Sequence, residues 1–384
     1  MTNPEDTVMM SNPRDPDSHP LPAETRSAET HGPSSTAFSS TTNPDTESQD
    51  QDEGSVSVTG LSGFSVDLSV DHDGGTTSPL VSDSGASATS ASVSSSVYKF
   101  VQEHGRTFHK YKEGKYFLPN DKREQNRLDL QHTISKFLLK GKLGLAPVER
   151  PRRVLDLGTG TGVWAIEFAE QNPNSEVLGT DLSPIQPDYL PTNCRFEIDD
   201  VDDDWVHNHK FDYIHGRYIL PFVKKDWGLL FESIYNNLNP GGWVESQETI
   251  IYFQSIDGSI EGTALQRWNA LLLRGIQMMG RSATEALRCK NYLAEAGFVN
   301  LGEKKFAVPM NTWAKGDEQK AVGAMQMANN LEGIDGITMT VFTRSLGWTP
   351  ADVEQLLVDV KKDLMDRSIH GYITVIVAWG QKPQ

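Results

Sequence analysis

The segment 154–162 constrains the fold of this chain more than any other stretch. It reads VLDLGTGTG, a short apolar run followed by alternating glycines. The apolar run predicts a buried strand, and the next residues, VWAIEFAEQN, predict a helix. A glycine-rich turn between strand and helix lets a ligand approach the backbone near the helix N-terminus. The segment therefore predicts an α/β fold with a ligand at this turn; a tight turn without any ligand is the alternative.

Strands and helices alternate downstream of this turn. Further apolar stretches predict strands, and a helix with a Pro-Gly-Gly stop separates two of them. Strands separated by helices pair in parallel, so we predict a doubly wound sheet. The last stretch lacks polar alternation, which predicts a strand buried on both faces. In chain order the predicted strands read SEVLGTDLS, RFEIDD, FDYIHGR, WVESQETIIYF, KKFAVPM and ITVIVAWGQKP.

Two segments between these strands read as mainly helical, residues 257–285 and residues 313–366. In an open α/β sheet the ligand crevice lies at the carboxyl ends of the strands. We predict that both segments form a cap over those ends, as part of one domain at 151–384.

The region upstream of the first strand also reads as helical. Residues 97–146 predict helix with breaks, in which Asp121 caps the N-terminus of one helix. Gly141 and Gly144 are predicted to end that helix. We expect the segment 96–150 to pack over the ligand site.

The first 95 residues differ in composition from the rest of the chain. They contain 15 Asp and Glu residues against Arg14 and Arg26, and so supply 13 of the 17 net negative charges. With few large apolar side chains, such a stretch buries too little surface to offset the entropy of ordering. We predict that residues 1–95 form a disordered acidic tail. The acidic tail and near-neutral remainder argue against nucleic acid as a partner.

The cysteine content and the lengths of the apolar runs limit the cellular compartments in which the protein is expected. The two cysteines, Cys194 and Cys289, predict no disulfide framework. No apolar run approaches the roughly 18 residues of a membrane span, and the N-terminus lacks the pattern of a signal peptide. His207 and His209 have no third ligand nearby, so no metal site is predicted. We expect an intracellular protein, cytoplasmic or nuclear and not secreted, with no membrane partner.

The spacing of the glycines indicates which ligand the turn holds. Gly158, Gly160 and Gly162 follow a G-x-G-x-G pattern, and a valine stands where a dinucleotide-binding turn has its last glycine. The pattern, preceded by Asp156, suits the carboxyl and amino groups of a methionine better than a pyrophosphate. We predict that the turn, with Thr159, binds S-adenosylmethionine and that Asp156 meets its ammonium group.

Acids at the ends of the next two predicted strands suit the rest of that cofactor. Asp181 ends the second strand, where a carboxylate accepts hydrogen bonds from ribose hydroxyls, and Leu182 follows it. Asp181 could instead cap the segment at Ser183. Asp199 and Asp200 end the third strand, and we predict that one of them accepts from the adenine amino group. A solvated acidic loop is the alternative.

Polar residues near the ends of the fourth and fifth strands are candidates for chemistry. His215 is the first candidate for a general base. Arg217, with Tyr218 after it, is a candidate for holding a substrate carboxylate. Glu248 is the second candidate base, on the opposite strand face from Glu245. Packing, ion pairing or capping are the structural alternatives for these residues.

Several segments resemble the fungal LaeA-like, or TAM-domain, methyltransferases. The segment VLDLGTGTGVWAIEFAE is common to many methyltransferases, whereas TDLSPIQP and KYFLPND are more specific. The similarity covers residues 98–383. It implies a Rossmann-like, seven-stranded class I sheet whose last strand is antiparallel. The cofactor-binding residues that it implies are Asp156, Gly158, Gly160, Asp181, Asp199 or Asp200 and, from a segment folded over the cofactor, Tyr116 and Arg127.

The resemblance implies an S-adenosylmethionine-dependent methyltransferase, with a small molecule of secondary metabolism as the methyl acceptor. Methyl transfer acts on an activated sulfonium carbon, so alignment and exclusion of water matter more than a catalytic triad. One alternative is a nuclear regulator that acts through protein partners, and another is a cofactor-binding pseudoenzyme. A closed apolar pocket favours the enzyme, whereas a filled site with an exposed apolar patch favours the regulator.

Overall fold

The fold is that of a computed structural model of the chain. The structure describes residues 59–61, 64–65, 68–70, 100–112, 115–223 and 226–384. Most of the predicted tail at 1–95 therefore lies outside the described residues.

Twelve strands and seven α-helices occur within these described ranges. None of the helices there is long and apolar enough to cross a membrane. The strands are β1 (Thr59–Leu61), β2 (Phe64–Ser65), β3 (Phe100–Glu103), β4 (Arg106–His109), β5 (Arg153–Leu157), β6 (Glu176–Asp181), β7 (Cys194–Ile198), β8 (Phe211–Arg217), β9 (Leu238–Thr249), β10 (Gln254–Ser255), β11 (Val299–Pro309) and β12 (Gly371–Gln381). The helices are α1 (Lys122–Leu138), α2 (Val163–Gln171), α3 (Trp227–Asn237), α4 (Ala264–Met278), α5 (Cys289–Glu295), α6 (Asp317–Leu346) and α7 (Pro350–Met365).

The core of the fold is one sheet with strand order β7-β6-β5-β8-β9-β12-β11. The pairs from β7 to β9 are parallel, whereas β12 is antiparallel to both β9 and β11. β11 pairs along one edge of β12 as far as Tyr372, and β10 pairs with Tyr372 from the other edge, in line with β9. The sheet is therefore seven strands wide. The predicted seven-stranded sheet with an antiparallel last strand is confirmed.

Helices cover both faces of the sheet, as the alternation predicted. Successive residues of β5 point to opposite faces. Val154 belongs to the same apolar cluster as Trp164 of α2, and Leu155 to the same cluster as Leu230 of α3. All four side chains are buried. Burial of both sheet faces against helices is the main force that holds such a layered fold together.

A second apolar core lies between α4, α6 and α7. Its buried members include Trp268 of α4, Phe342 of α6 and Leu357 of α7. The three helices fall within the segments 257–285 and 313–366, for which mainly helical structure was predicted. These helices have a core of their own, so they can hold a fixed position beside the sheet.

The segment upstream of the sheet is not helical throughout, which corrects the prediction for 97–146. β3 and β4 form an antiparallel hairpin. His104 and Gly105 join the two strands with φ values of 51° and 73°. Two consecutive residues with positive φ form the turn that two-residue hairpins favour. The helix prediction is wrong here because the His-Gly turn, and not the spacing of apolar residues, determines the local structure.

α1 begins where the sequence predicted and ends at Leu138, slightly before the predicted stops at Gly141 and Gly144. The Asp121 carboxylate accepts a hydrogen bond from the Glu124 backbone N–H at 3.0 Å, which confirms it as the N-cap. Beyond the helix, Gly141 has a φ of 82° and donates its backbone N–H to the Lys136 carbonyl at 2.7 Å. That geometry is typical of a glycine that terminates a helix.

Three residues of the predicted tail pack against the folded domain. Leu68 is 5% exposed and belongs to an apolar cluster with Trp313. Val70 forms an antiparallel bridge with Ala314. The prediction of disorder is therefore wrong for residues 68–70, because apolar side chains in an otherwise polar stretch meet an apolar surface of the domain. It is also wrong for β1 and β2, which pair with each other as antiparallel strands.

Candidate active site

The glycine turn leaves β5 at the carboxyl ends of the parallel strands. Gly158, Gly160 and Gly162 have φ values of 61°, 58° and 80°, a region that other residues rarely adopt. A Cβ at Gly162 would clash with the ring of Phe196. The Gly160 backbone N–H donates to the Asp181 carboxylate at 2.8 Å, which ties the turn to the end of β6. The backbone conformation of the turn therefore favours glycine at all three positions.

Asp156 on β5 lies beneath the turn and is buried. One of its oxygens accepts from Thr159 Oγ1 at 2.5 Å, and the other lies 2.7 Å from Nδ1 of His215 on β8. The register of β5 and β8 places Asp156 and His215 opposite each other. Two side chains therefore fix the orientation of the Asp156 carboxylate.

His215 is at the site but is enclosed. Its ring is stacked on Trp164, with centroids 3.7 Å apart and 4° between the planes, and the residue is 0% exposed. Its Nε2 has no hydrogen-bond partner among the residues that the structure describes. This geometry suits orienting Asp156 better than taking a proton from a substrate. The role of general base stays a prediction.

Asp181 ends β6 and lines the same cavity as the turn. Its carboxylate accepts from the Ser183 backbone N–H at 2.9 Å as well as from Gly160. The capping geometry is therefore present, and a carboxylate has lone pairs left for a ligand. Burial raises the pKa of Asp181 against these backbone hydrogen bonds, which lower it. Gln186, in the TDLSPIQP motif, holds the turn by donating to the Gly160 carbonyl at 2.7 Å.

Asp199 and Asp200 follow β7 and differ in their surroundings. Asp199 lines the cavity, and its Oδ1 accepts from the Asp200 backbone N–H at 2.8 Å. Asp200 is buried, and its Oδ2 accepts from Lys112 Nζ at 2.6 Å and from Lys115 Nζ. Burial raises the pKa of Asp200, but the two lysines outweigh burial and the pKa is lowered. Since the lysines occupy Asp200, Asp199 is the better placed to accept from adenine.

The two lysines belong to the segment before α1, residues 100–112 and 115–120, here called the closing segment, of which Lys115, Tyr116 and Leu118 line the cavity. Lys115 also pairs with Asp202 at 2.9 Å. Tyr116 lines the cavity, and its ring centroid lies 4.6 Å from that of Phe222. Burial raises the pKa of Tyr116. That this segment folds over the cofactor, as the family resemblance implied, stays a prediction.

Arg127 on α1 lines the cavity and is held on two sides. Its guanidinium donates to Glu124 Oε1 at 2.7 and 3.0 Å and to Asn329 Oδ1 of α6 at 2.9 Å. Gly333 of α6 leaves room for the side chain, since a Cβ there would lie 2.8 Å from Arg127 Cδ. The buried ion pair of Arg127 and Glu124 thus lies within α1, and the hydrogen bond from Arg127 to Asn329 joins α1 to α6.

Arg217 and Tyr218, the predicted substrate residues, also line the cavity. Arg217 ends β8, and Tyr218 follows it with a φ of 56°. An Arg217 guanidinium nitrogen lies 3.0 Å from Nδ1 of His132, and the Tyr218 hydroxyl lies 3.1 Å from Ser135 Oγ. Both partners are on α1, which therefore positions this end of β8.

Glu248 is not part of the cavity wall. It is 0% exposed, and its carboxyl accepts from the backbone N–H groups of Ile219 at 3.4 Å and Leu220 at 3.2 Å. Burial raises its pKa to about 8. The prediction of Glu248 as a second base is corrected, because the side chain caps a short helical turn and does not face a substrate. Glu245 faces the other way and accepts from two backbone N–H groups of the loop before β5.

The strand ends and the overlying helices enclose a cavity of about 280 Å³. The structure brings every predicted site residue to its wall except Gly162, which shapes the turn, and Glu248. Six carboxylates and three cations line it, a balance that suits a ligand of net positive charge. The carboxylates are those of Glu124, Asp156, Asp181, Asp199, Asp200 and Asp202, and the cations are Lys115, Arg127 and Arg217.

The cavity has two parts of different chemistry. The glycine turn and the acids bound one part. The other is bounded by α4, α6 and the residues that follow β9, and its wall is mainly apolar. The apolar residues of that part are Ile250, Ile251, Phe253, Trp268, Ile334, Ile337 and Ile373.

Several residues of the site were missed from the sequence. Lys115 meets Asp200, and His132 meets Arg217, across 85 residues of chain in each case. Asn329 meets Arg127 across 202 residues. The one local signal is that Lys115 opens the KYFLPND motif; the other pairs depend on how α1 packs against the sheet and α6.

The sheet order, the glycine turn and the acids after the next two strands define a class I methyltransferase. The profile of a family described as "Methyltransferase domain" matches residues 123–302. "Methyltransferase pytC" of Aspergillus terreus is 39% identical over 295 residues, which cover 76% of this chain and 91% of that protein. "Secondary metabolism regulator laeA" of Aspergillus fumigatus is 33% identical over 295 residues, 74% of this chain and 78% of that one.

The chain therefore belongs to the family of fungal LaeA-like methyltransferases, and it is an S-adenosylmethionine-dependent methyltransferase. A third relative, "Protein-methionine methyltransferase laeA" of Emericella nidulans, is 33% identical over 74% of this chain and 77% of its own length. Among solved structures, phosphoethanolamine N-methyltransferase 2 of Haemonchus contortus matches 71% of this chain and 55% of that chain at 16% identity, with a TM-score of 0.38. A likeness this low carries no argument.

Proposed function

We propose that the protein methylates an apolar small molecule of secondary metabolism, bound in the apolar part of the cavity. The proposal rests on the observation that both parts belong to one cavity. Asp181 and the glycine turn line the same cavity as Trp268 and Ile337. A mainly apolar pocket with a few polar groups on its wall is typical of small-molecule sites.

The residues present fit the cofactor in the other part. Gly158 and Gly160 leave the turn open to a ligand, and Asp181 and Asp199 line the cavity beside it. We expect Asp181 to accept from the ribose hydroxyls and Asp199 to accept from the adenine amino group. Asp156 stands under the turn for the ammonium group. When bound, S-adenosylmethionine supplies a methyl group on a positively charged sulfur.

The protein's own contribution is to orient the acceptor and to exclude water. The closing segment and α6 cover the cavity, and the lysine and arginine contacts at Asp200 and Asn329 hold them in place. Orientation and water exclusion can supply much of the rate of such a displacement. An acceptor that is nucleophilic at neutral pH needs no base from the wall.

The test combines cofactor binding and product identification. We expect calorimetry to show binding of S-adenosylmethionine, and labelled cofactor to transfer its methyl group to a small molecule in an extract of the source organism, identified by mass. Label that enters only protein, or no binding at millimolar cofactor, would contradict the proposal.

A second candidate function rests on the relatives named as regulators of secondary metabolism. A regulator that acts through protein partners needs the part of the cavity that fits the cofactor. It does not need the apolar part of the cavity to be free for a small molecule. The two functions are separated by filling the apolar part, because only small-molecule methylation should then be lost.

A further inference from the structure

Arg217 differs from the other two cations of the cavity wall. Lys115 pairs with Asp200 and Asp202, and Arg127 pairs with Glu124. Among the residues that the structure describes, Arg217 has no carboxylate within ion-pair distance, and its one hydrogen-bond partner is His132. A largely buried guanidinium without an anion is costly, so a cation in this position favours an anionic ligand.

The register of the sheet shows where that anion would lie. Gly216 of β8 pairs with Leu157 of β5, so the next residue, Arg217, stands beside Gly158 at the start of the glycine turn. The apolar part of the cavity, under α4 and α6, lies beyond. Arg217 therefore lines the cavity at the end that the glycine turn bounds.

His132 holds Arg217 in this position. Its Nδ1 lies 3.0 Å from the guanidinium, and its Nε2 lies 3.3 Å from Glu167 Oε1. Lys136 donates to the other Glu167 oxygen at 2.6 Å. Burial, with the charge of Arg217, lowers the pKa of His132 to about 4, so the neutral ring accepts from Arg217.

We propose that Arg217, positioned by His132, binds the carboxylate of the methionine part of S-adenosylmethionine. The inference rests on the proposed function, because it assigns one end of the same cofactor. It departs from the sequence-based prediction that Arg217 holds a carboxylate of the methyl acceptor. An arginine beside the turn can give two parallel charge-assisted hydrogen bonds to a carboxylate.

The experiment compares two ligands that differ by one carboxylate, S-adenosylmethionine and its decarboxylated analogue. Calorimetry on the wild type should show weaker binding of the analogue. Arg217→Met should weaken S-adenosylmethionine binding roughly 10- to 100-fold and leave the analogue nearly unchanged. Arg123→Met, at an arginine that pairs with Glu332 on the surface of α1, is the matched control and should change neither.

The positioning role of His132 is tested by the ratio of the affinities for S-adenosylmethionine and for its decarboxylated analogue. His132→Asn keeps an oxygen that can accept from Arg217 and should preserve the preference for S-adenosylmethionine. His132→Leu should lose that preference while the analogue still binds. Loss of binding for both ligands in His132→Leu would show a merely structural role.

Three outcomes would overturn the assignment of Arg217. Equal weakening of both ligands in Arg217→Met would show a structural role. Unchanged cofactor binding with a raised KM for the acceptor would place the carboxylate on the acceptor instead. A wild type that binds neither ligand would overturn the proposed function itself. Circular dichroism and Tm of each variant separate these outcomes from misfolding.

Discussion

At the scale of single residues, two glycines of one turn differ in what an added side chain would cost. At one position the cost is backbone strain alone, and at the other a steric clash is added. Gly160 and Gly162 both have positive φ. A Cβ at Gly160 would meet only Leu128 Cδ1 at 3.6 Å, whereas one at Gly162 would clash with Phe196. We expect Gly160→Ala to lower the free energy of unfolding by about 1–2 kcal/mol, and Gly162→Ala by a further 1–3 kcal/mol, about the cost of overpacking. Urea unfolding measures the free energy of unfolding of both variants. Equal losses in the two variants would contradict the predicted clash with Phe196.

Glu248 should make stability depend on pH. Its pKa is about 8 in the folded protein and 4.5 ordinarily, so the folded state keeps a proton that the unfolded state has released. The stability from this group is therefore full below about pH 4.5 and is lost as the pH rises to about 8, by at most about 1.4 kcal/mol per pH unit. Burial is the physical cause.

The isosteric variant Glu248→Gln tests this account, because its amide cannot ionise. We expect it to remove the contribution of Glu248 to the pH slope of unfolding across this range and to keep methyl-transfer activity. Urea unfolding at several pH values, with an activity assay, measures both. A folded but inactive variant would return Glu248 to the role of a catalytic base.

Residues within a motif were predictable and residues that meet across the chain were not. Asp156 and Asp181 follow from the strand–turn–helix pattern, because the carboxyl ends of parallel strands share one edge of the sheet. Arg217 was found for the same reason, but its partner His132 was not. That pair forms only because α1 packs against the sheet, and no local pattern encodes this packing.

At the scale of elements, the ion pairs of Lys112 and Lys115 with Asp200 should hold the closing segment against the end of β7. Replacing Lys112 and Lys115 by Met leaves the Asp200 carboxylate buried without a cation, which is costly. We expect lower Tm, faster hydrogen exchange in β3 and β4, and weaker cofactor binding. Adding Asp200→Asn removes the unpaired charge and should recover part of the Tm.

Hydrogen exchange with mass spectrometry measures this effect at the hairpin. Unchanged exchange there in the double variant would contradict the role given to the lysines. No recovery on adding Asp200→Asn would show that the loss comes from something other than an unpaired buried charge.

The elements themselves were largely predictable from periodicity. The parallel strands and the long helices of the cap follow from apolar spacing, because each buries one face or both. The β3–β4 hairpin did not follow, since a two-residue turn at His104–Gly105 outweighs the helical spacing around it. The contact of Leu68 with the domain was missed because composition describes a stretch and not its few apolar residues.

At the scale of the whole molecule, the contact at 68–70 predicts a difference between two truncations. A chain that starts at residue 67 keeps Leu68 against Trp313, whereas one that starts at residue 100 loses it. We expect a loss of roughly 4–8 °C in Tm for the shorter chain only. Cofactor affinity should be unchanged in both, because this cluster is not in the cavity wall. Equal Tm values in the two chains would contradict the contact.

If the apolar part of the cavity holds a small-molecule acceptor, a side chain that fills this part should block methyl transfer. Ile337 lines that part on α6, so Ile337→Trp should fill it without touching the glycine turn; Ile337→Val is the control. The measurement is labelled methyl transfer to the small-molecule fraction, beside the Kd for S-adenosylmethionine. We predict that transfer falls at least about tenfold in Ile337→Trp while Kd is unchanged, a barrier increase of about 1.4 kcal/mol. Unchanged transfer to small molecules by the filled variant would contradict the claim.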